Sequence, residues 1–194
     1  MTTDPLRIGF VTGATPDKWA RHWRERRREP LELVPVTEAD QLEGVRDGSL
    51  DMALVRLPVD RDGLHCVRLY DELQVAVASR DHLLAAADEE VTTADLVDEQ
   101  LVRPHPSGWT PAADQLDWPP MTEREAIETV AAGTGIVVVP MSVARLHQRK
   151  DVVTRVVTDL EPSAIALVWR IDRDDEVTQT FVGVTKGRTA NTSR

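Results

Sequence analysis

The chain has 194 residues and a formal net charge of −10, an acidic balance that argues against a general nucleic-acid-binding surface. Its single cysteine, Cys66, excludes an intrachain disulfide framework and indicates no metal site. No apolar run approaches the roughly 20 residues that span a membrane, and the amino terminus, MTTDPLR, lacks the apolar core of a signal peptide. We therefore expect a cytoplasmic protein.

Strand and helix patterns alternate along the first half of the chain, which is typical of an α/β fold. The predicted elements are the strand Leu6–Val11, the charged helix Asp17–Glu29, the strand Leu31–Val36, the helix Glu38–Asp47 and the strand Asp51–Val55. Pro35 favours an edge position for its strand, because proline cannot donate to a central ladder. Gly48 is expected to stop the helix before it.

The second half continues the alternation with one interruption. The predicted elements are the strand Leu73–Ala78, the strand Leu96–Val102, the helix Met121–Gly133 and the strands Ile136–Val139, Val152–Val157 and Ala164–Ile171. Between Arg103 and Pro120 the chain has five prolines and two tryptophans, which favours loop. Thr122, with Glu125 three residues on, predicts a capping box at the start of its helix.

The segment Val130–Pro140, VAAGTGIVVVP, is the most informative stretch of the chain. Gly133 or Gly135 can adopt the left-handed conformation that ends a helix. Ile136–Val139 is β-branched without polar alternation, which predicts a parallel strand covered on both faces. The Gly-Thr-Gly precedes the strand, whereas a dinucleotide-binding loop follows one, so a nucleotide site is not expected.

Four segments, taken together and in order, resemble the effector-binding domain of LysR-type transcriptional regulators. They are LRIGFV at Leu6–Val11, LEGVRDGSLDMALVRL at Leu42–Leu57, LYDELQVAVASRDHLLA at Leu69–Ala85, and VAAGTGIVVVP at Val130–Pro140. The resemblance covers about Leu6 to Ile171. It implies a type II periplasmic-binding-protein fold, with two Rossmann-like α/β subdomains joined by two crossover strands. We expect residues 1–78 with 164–194 in subdomain I, residues 79–163 in subdomain II, and a ligand cleft between them.

Candidate ligand contacts in subdomain I lie where strands are predicted to end. Thr12, Gly13 and Thr15 fall between the first strand and the first helix, where hydroxyls and free backbone N–H groups can hold a carboxylate. Alternatively, Thr15 caps the helix ahead of Pro16. Arg56 follows the DMALV strand and can pair with an acid through its guanidinium, unless it forms a surface salt bridge instead.

Candidate contacts in subdomain II follow the same logic. Arg103 comes directly after a predicted strand, and Thr122 begins a helix whose amino end favours an anion. Trp109 can cover an aromatic ligand or, more simply, anchor the proline-rich loop. Met141 follows a buried strand and is expected in the pocket wall or the core. We expect a small, carboxylate-type metabolite as the ligand.

No catalytic constellation accompanies these residues, so we expect neither an enzyme nor a cofactor. There is no Gly-x-Ser-x-Gly elbow. His65 and Cys66 are adjacent, so on a strand their side chains diverge and do not form a reactive pair. The histidines lack spacings suited to zinc. Because enzymes of dehydratase and deaminase type share such double-lobed folds, an enzyme stays the alternative.

Two helices of opposite charge suggest a homodimer. The helix Asp17–Glu29 is rich in arginine, and the helix Thr122–Val130 is acidic. The charged residues are Arg21, Arg24, Arg26, Arg27 and Arg28 on the first, and Glu123, Glu125 and Glu128 on the second. The resemblance implies an antiparallel dimer, in which a twofold axis satisfies such a pair of helices twice.

The resembling pattern begins at Leu6, so the chain is either a fragment of a longer regulator or a stand-alone effector domain. We expect the second, without a DNA-reading helix and without direct DNA binding. A partner-binding protein with a vestigial cleft is a further alternative. The role of the C-terminal stretch GRTANTSR stays open.

Overall fold

The computed structural model describes residues 4–187, so most of the stretch GRTANTSR lies outside the described residues. The chain folds as two compact units. The first is built from the residues up to Asp71 and those from Ala164 onward, and the second is Glu72–Ser163. Each unit has its own β-sheet, packed with helices, so the predicted α/β class is confirmed.

The secondary structure alternates as expected. Within residues 4–187 the strands are β1 (Leu6–Val11), β2 (Leu31–Val36), β3 (Met52–Leu57), β4 (Leu64–Glu72), β5 (Gln74–Ser79), β6 (Glu90–Val91), β7 (Ile136–Pro140), β8 (Val152–Val157) and β9 (Ser163–Arg170). The α-helices are α1 (Asp17–Arg26), α2 (Glu43–Asp47), α3 (Glu123–Ala131), α4 (Met141–Leu146) and α5 (Glu176–Thr185). Short 3-10 turns occur at Leu83–Ala85, Thr93–Leu96 and Ile171–Arg173. None of the helices in this part of the chain is long and apolar enough to cross a membrane.

The sheet of the first unit has the strand order β2-β1-β3-β9-β4. Strand β1 pairs in parallel with β2 and β3, and β3 pairs antiparallel with β9. The edge position of β2 confirms the prediction from Pro35. Helices cover both faces of this sheet. Leu54 packs in a cluster with Trp23 and Phe181, whose rings lie 5.8 Å apart, whereas the next residue, Val55, packs on the other face against Val45 of α2.

The sheet of the second unit has the strand order β6-β8-β5-β7. Strand β5 is central and pairs antiparallel with both neighbours. Ile127 and Val130 of α3 pack on one face of the sheet with Val77. Leu84 and Leu96, from two of the 3-10 turns, pack on the opposite face.

Strand β7 corrects one prediction. Its residues Ile136–Val139 are at most 2% exposed, so burial on both faces is confirmed. The predicted parallel pairing is wrong for most of the strand, because β7 runs antiparallel to β5 along its whole length. Within residues 4–187 its only parallel pairing is the isolated bridge between Ile136 and Leu101. An apolar run indicates that both faces of a strand are covered, but it does not indicate the direction of the neighbouring strand.

Several further elements are shorter than predicted. The helix expected over Asp17–Glu29 ends at Arg26, and the helix expected over Met121–Gly133 is limited to Glu123–Ala131. The helix expected over Glu38–Asp47 begins only at Glu43, because Thr37 and Asp40 close a turn in which the Thr37 hydroxyl donates to Asp40 Oδ2 at 2.6 Å. The strand expected over Leu96–Val102 is reduced to the single bridge at Leu101.

The proline-rich segment 103–120 has no helix or strand, as predicted. Two side-chain amides hold it against the residues that precede it. Gln115 accepts from Leu101 N at 2.7 Å and donates to Glu99 O at 2.9 Å. Gln100 donates to Asp114 O at 2.9 Å. We call Gln100 and Gln115 the glutamine clasp.

The helix starts give one confirmation and one correction. At α3, Thr122 Oγ1 accepts from Glu125 N at 3.3 Å and Glu125 Oε2 accepts from Thr122 N at 2.8 Å, so the predicted capping box is present. These hydrogen bonds also hold the pKa of Glu125 below its ordinary value. At α1 the predicted cap by Thr15 is wrong, because Pro16 occupies the N-cap position and no side chain caps the helix.

Replacing Thr122 with alanine should lower the free energy of unfolding by about 1 kcal/mol, because it removes the acceptor for an N–H group of the first turn of α3. Urea unfolding followed by circular dichroism measures this loss. Thr129→Ala is the matched control, since that hydroxyl donates back to Glu125 O within the same helix and its removal should change stability by less than about 0.5 kcal/mol. Equal losses in the two variants would contradict the capping role.

Gly135 is required where the chain turns into β7. Its φ is +61°, and a Cβ added there would collide with the backbone oxygen of Gln100. Gly133, with φ +97°, has open space around it. Gly133→Ala should therefore cost only the left-handed backbone conformation, about 1–2 kcal/mol, and Gly135→Ala should cost distinctly more. Urea unfolding compares the two variants, and an equal cost would show that the Gln100 contact is not limiting.

Candidate functional site

The carboxyl ends of β1 and β3 bring two predicted residues of the first unit together. The parallel register pairs Phe10 with Leu54, which places Thr12 level with Arg56. Arg56 Nη2 donates to Thr12 O at 3.0 Å. Gly13 then takes a φ of +88° and turns the chain toward α1. The local sequence therefore builds a compact loop directly beyond β1.

Arg56 is fixed by its own chain. Its side chain is 4% exposed, and Nε lies 3.6 Å from Glu38 Oε2. The side chain of Gln41 pairs with the backbone of Arg56 on both sides, accepting from Arg56 N at 2.7 Å and donating to Arg56 O at 3.1 Å. The guanidinium is thus a structural support for the Thr12 carbonyl. Thr15 is exposed at the far end of the same loop.

In the second unit, several segments reach one end of the sheet. Leu101 forms a parallel bridge with Ile136 of β7, so the chain runs in the same direction through both. It therefore reaches the same end of the sheet at Met141, after β7, and at Arg103, after Leu101. Gln74, which begins β5, is paired in register with Pro140. We call this end of the second sheet the Gln74 edge, defined by Gln74, Arg103 and Pro140.

Arg103 links the proline-rich segment to α3. Its Nε donates to Met121 O at 3.2 Å, and Nη2 donates to Glu123 Oε1 at 2.9 Å. This ion pair is partly buried, with side-chain exposures of 25% and 20%. Met121 packs with Trp118 and Met141 against the cluster under α3. The structure therefore brings the predicted residues Arg103 and Met141 and the start of α3 into one neighbourhood.

The second unit also contains buried polar atoms without a partner. Four buried side-chain atoms have no hydrogen-bond partner within residues 4–187: Gln74 Oε1, His105 Nε2, Trp118 Nε1 and Ser142 Oγ. Gln74 begins β5, Ser142 lies in α4 directly after β7, and the other two lie in the proline-rich segment. A buried polar atom without a partner costs about 1–3 kcal/mol, so such atoms are rare in folded proteins.

The contacts of His105 favour one tautomer of its neutral ring. The backbone N–H of Ser107 donates to His105 Nδ1 at 3.3 Å, and Ser107 Oγ lies 2.7 Å from the same nitrogen. Burial and the nearby charge of Arg103 lower the pKa of His105, which favours the neutral ring. Because Nδ1 accepts, the neutral ring carries its proton on Nε2.

Trp109 packs at the base of the proline-rich segment. Its ring meets the ring of His105 edge-on, with centroids 6.4 Å apart, and it lies against the cluster that contains Leu101. This contact fits the simpler of the two predictions, that Trp109 anchors the loop. Across residues 4–187 there is no group of three or more His, Cys, Asp or Glu side chains placed to hold a metal ion.

Sequence reasoning missed Gln41, Gln74, His105, Trp118 and Ser142. Gln74 carried a usable signal, because it is the polar residue at the start of the otherwise apolar strand QVAVAS. Gln41, His105 and Trp118 carried none, since each lies in a polar or irregular stretch where its burial depends on the tertiary structure. Ser142 carried none either, because it is a small polar residue of α4 whose burial depends on how that helix packs.

Solved structures share the whole architecture. The effector-binding domain of BenM, solved with its effector benzoate, matches with a TM-score of 0.77 and 20% identity, over 97% of this chain and 96% of that one. At this identity the likeness concerns the fold, and it confirms the predicted type II periplasmic-binding-protein fold.

Curated relatives are regulators of transcription. The HTH-type transcriptional regulator AlsR of Bacillus subtilis (strain 168) is 25% identical over 197 residues, covering 92% of this chain and 65% of the relative. The HTH-type transcriptional regulator CatR of Pseudomonas putida is 29% identical over 161 residues, covering 74% of this chain and 54% of the relative. The chain thus spans between about half and two thirds of the length of these relatives.

One family model accounts for nearly the full length. The model described as the LysR substrate binding domain matches residues 3–190. The match takes in both sheets and the segments at the Gln74 edge. The chain belongs to the family of LysR substrate-binding domains.

Proposed function

We propose that this domain binds a small anionic metabolite of the carboxylate type and serves as the effector-sensing part of a transcriptional regulator, without chemical conversion of the ligand. The observation that carries the proposal is the set of buried, unpartnered polar atoms in the second unit, among them the ring N–H groups of His105 and Trp118. Two comparisons support it: BenM has benzoate as its effector, and AlsR and CatR are transcriptional regulators. We also propose that the domain works in the cytoplasm, where such regulators meet DNA.

The proposed ligand contacts come from each unit separately. They are Thr12, Gly13, Thr15 and Arg56 in the first unit, and Arg103, Trp109, Thr122 and Met141 in the second. The two arginines act mainly by support, because each already donates to its own chain. Arg56 holds the Thr12 carbonyl, and Arg103 ties the proline-rich segment to Glu123. The charge of each arginine still attracts a nearby anion, because its hydrogen bonds to its own chain do not prevent longer-range electrostatic attraction.

A thermal-shift screen against benzoate, acetate, succinate and salicylate tests the ligand class. A carboxylate at 100 times its dissociation constant should add about 2.7 kcal/mol of stability and raise the midpoint by several degrees. Benzamide is the matched control for benzoate, because it keeps the ring and removes the negative charge. A flat response to every carboxylate would contradict the proposal and favour a partner-binding protein. Chemical turnover of a stabilising acid would favour the enzyme alternative.

We further propose a homodimer that pairs the arginine-rich stretch 17–29 with the helix around residues 122–130. Arg24 and Arg28 are exposed, whereas Arg27 is engaged by Glu29 and Glu176 of its own unit. On α3, the exposed carboxylate of Glu128 pairs with Arg124. The electrostatic attraction across the proposed interface therefore comes mainly from the exposed arginines of one copy. They would face a helix of small net negative charge, α3, in the other copy.

The double variant Arg24→Glu/Arg28→Glu should weaken this dimer, because it replaces two exposed cations with anions beside an acidic helix. Sedimentation velocity over a concentration series measures the dissociation constant, which should rise at least tenfold. Arg61→Glu is the control, since it makes the same charge change on an exposed loop outside the proposed interface. A dimer insensitive to the double variant, or a monomeric parent protein, would exclude this interface.

A further inference from the structure

We infer that His105 is the specificity-determining residue of the second unit, and that its Nε2–H donates to an oxygen of the ligand's acid group. This inference rests on the proposed function and names the chemistry by which the site recognises its ligand.

The position of the imidazole proton is the first step. Ser107 contacts Nδ1 with its backbone N–H at 3.3 Å and with its hydroxyl at 2.7 Å. Ser107 Oγ in turn accepts from Trp109 N at 3.2 Å, so a closed turn fixes the ring from one side. The opposite nitrogen, Nε2, therefore carries the hydrogen and is the free donor of the ring.

The lack of an acceptor is the second step. His105 is 7% exposed, and Nε2 is buried without a partner within residues 4–187. A carboxylate or carbonyl oxygen is the acceptor that this N–H lacks.

Neutral donors suit this position better than an arginine. Arg103 already donates to Met121 O and Glu123 Oε1, and its release would leave Glu123 without its partner in a half-buried place. A neutral N–H with a fixed direction recognises the oxygen geometry of an acid, while Arg103 supplies positive potential from nearby.

Access to the His105 donor requires local movement, because protein atoms cover it in this structure. The segment that carries it has no ladder or helical hydrogen bonds of its own. Its ends are held by Arg103 and by the glutamine clasp, so rotation of side chains between these anchors leaves the sheet intact. Ligand contact at His105 is therefore compatible with an undisturbed core.

Nitrogen-15 NMR of the histidine rings in the whole chain tests the inference without any substitution. The probe is benzoate, or whichever acid of the thermal-shift panel stabilises the protein most. We expect the free protein to show His105 as the Nε2–H form, and the Nε2 resonance to move on titration with the probe. A bound probe with an unmoved His105 resonance would overturn the inference while the proposed function stands.

Three variants, measured by calorimetric titration with the same probe, complete the test. His105→Phe should bind about tenfold more weakly, because the donor is lost while an aromatic ring remains. His105→Gln retains an N–H near the Nε2 position and should recover part of the affinity. His147→Phe, a histidine of the same unit outside the Gln74 edge, is the control and should bind like the parent. If His105→Phe does not fold, the NMR result decides.

The two possible failures are separable. Full affinity in a folded His105→Phe variant overturns the role of His105 alone. If none of the carboxylates stabilises the parent protein, the proposed function fails, and the inference that rests on it fails too.

Discussion

The close approach of Gly135 to Gln100 is the constraint on which the second unit depends. The backbone N–H of Ile136 donates to Gln100 O at 2.8 Å, and Val102 N donates to Ile136 O at 3.0 Å. These two bonds form the isolated parallel bridge, and only a residue without a Cβ lets the chains come this near. The bridge fixes the direction in which the chain leaves Leu101 and β7, so the proline-rich segment and the start of α4 emerge at the same end of the sheet. The candidate site is a consequence of that arrangement.

The two arginines chosen from the sequence have a common role that their positions alone did not reveal. Arg56 lies at the carboxyl end of β3 and Arg103 follows the bridge at Leu101, and each donates to a backbone oxygen: Arg56 to Thr12 and Arg103 to Met121. Each also lies near a glutamate of its own unit, Glu38 and Glu123 respectively. A guanidinium in a half-buried place satisfies several acceptors at once, which makes it an effective brace for an irregular loop. Each arginine therefore braces an irregular segment of its own unit.

Local features were predictable from the sequence, and long-range ones were not. The capping box of Thr122 and Glu125 depends on residues three apart, and the edge position of β2 follows from the missing N–H of Pro35; both predictions are confirmed. The antiparallel pairing of β7 depends on β5, about 60 residues earlier, and an apolar run carries no information on direction. In the same way nothing in the sequence TEADQLEG distinguishes Gln41, yet its side chain forms hydrogen bonds with both the backbone N–H and the backbone carbonyl of Arg56. The family resemblance supplied the fold, and the buried donors of His105 and Trp118 required tertiary structure.

The glutamine clasp has a consequence for how copies of this chain meet. Beyond β7 the sheet continues only as the bridge at Leu101, whose outward N–H would otherwise offer a template for a strand of another molecule. Gln115 occupies that N–H with its side-chain oxygen, and Gln100 holds the backbone on either side of Gln115. Side-chain amides thus terminate the ladder in place of an edge strand. A strand added from another molecule at this side would first have to displace the Gln115 side chain from Leu101.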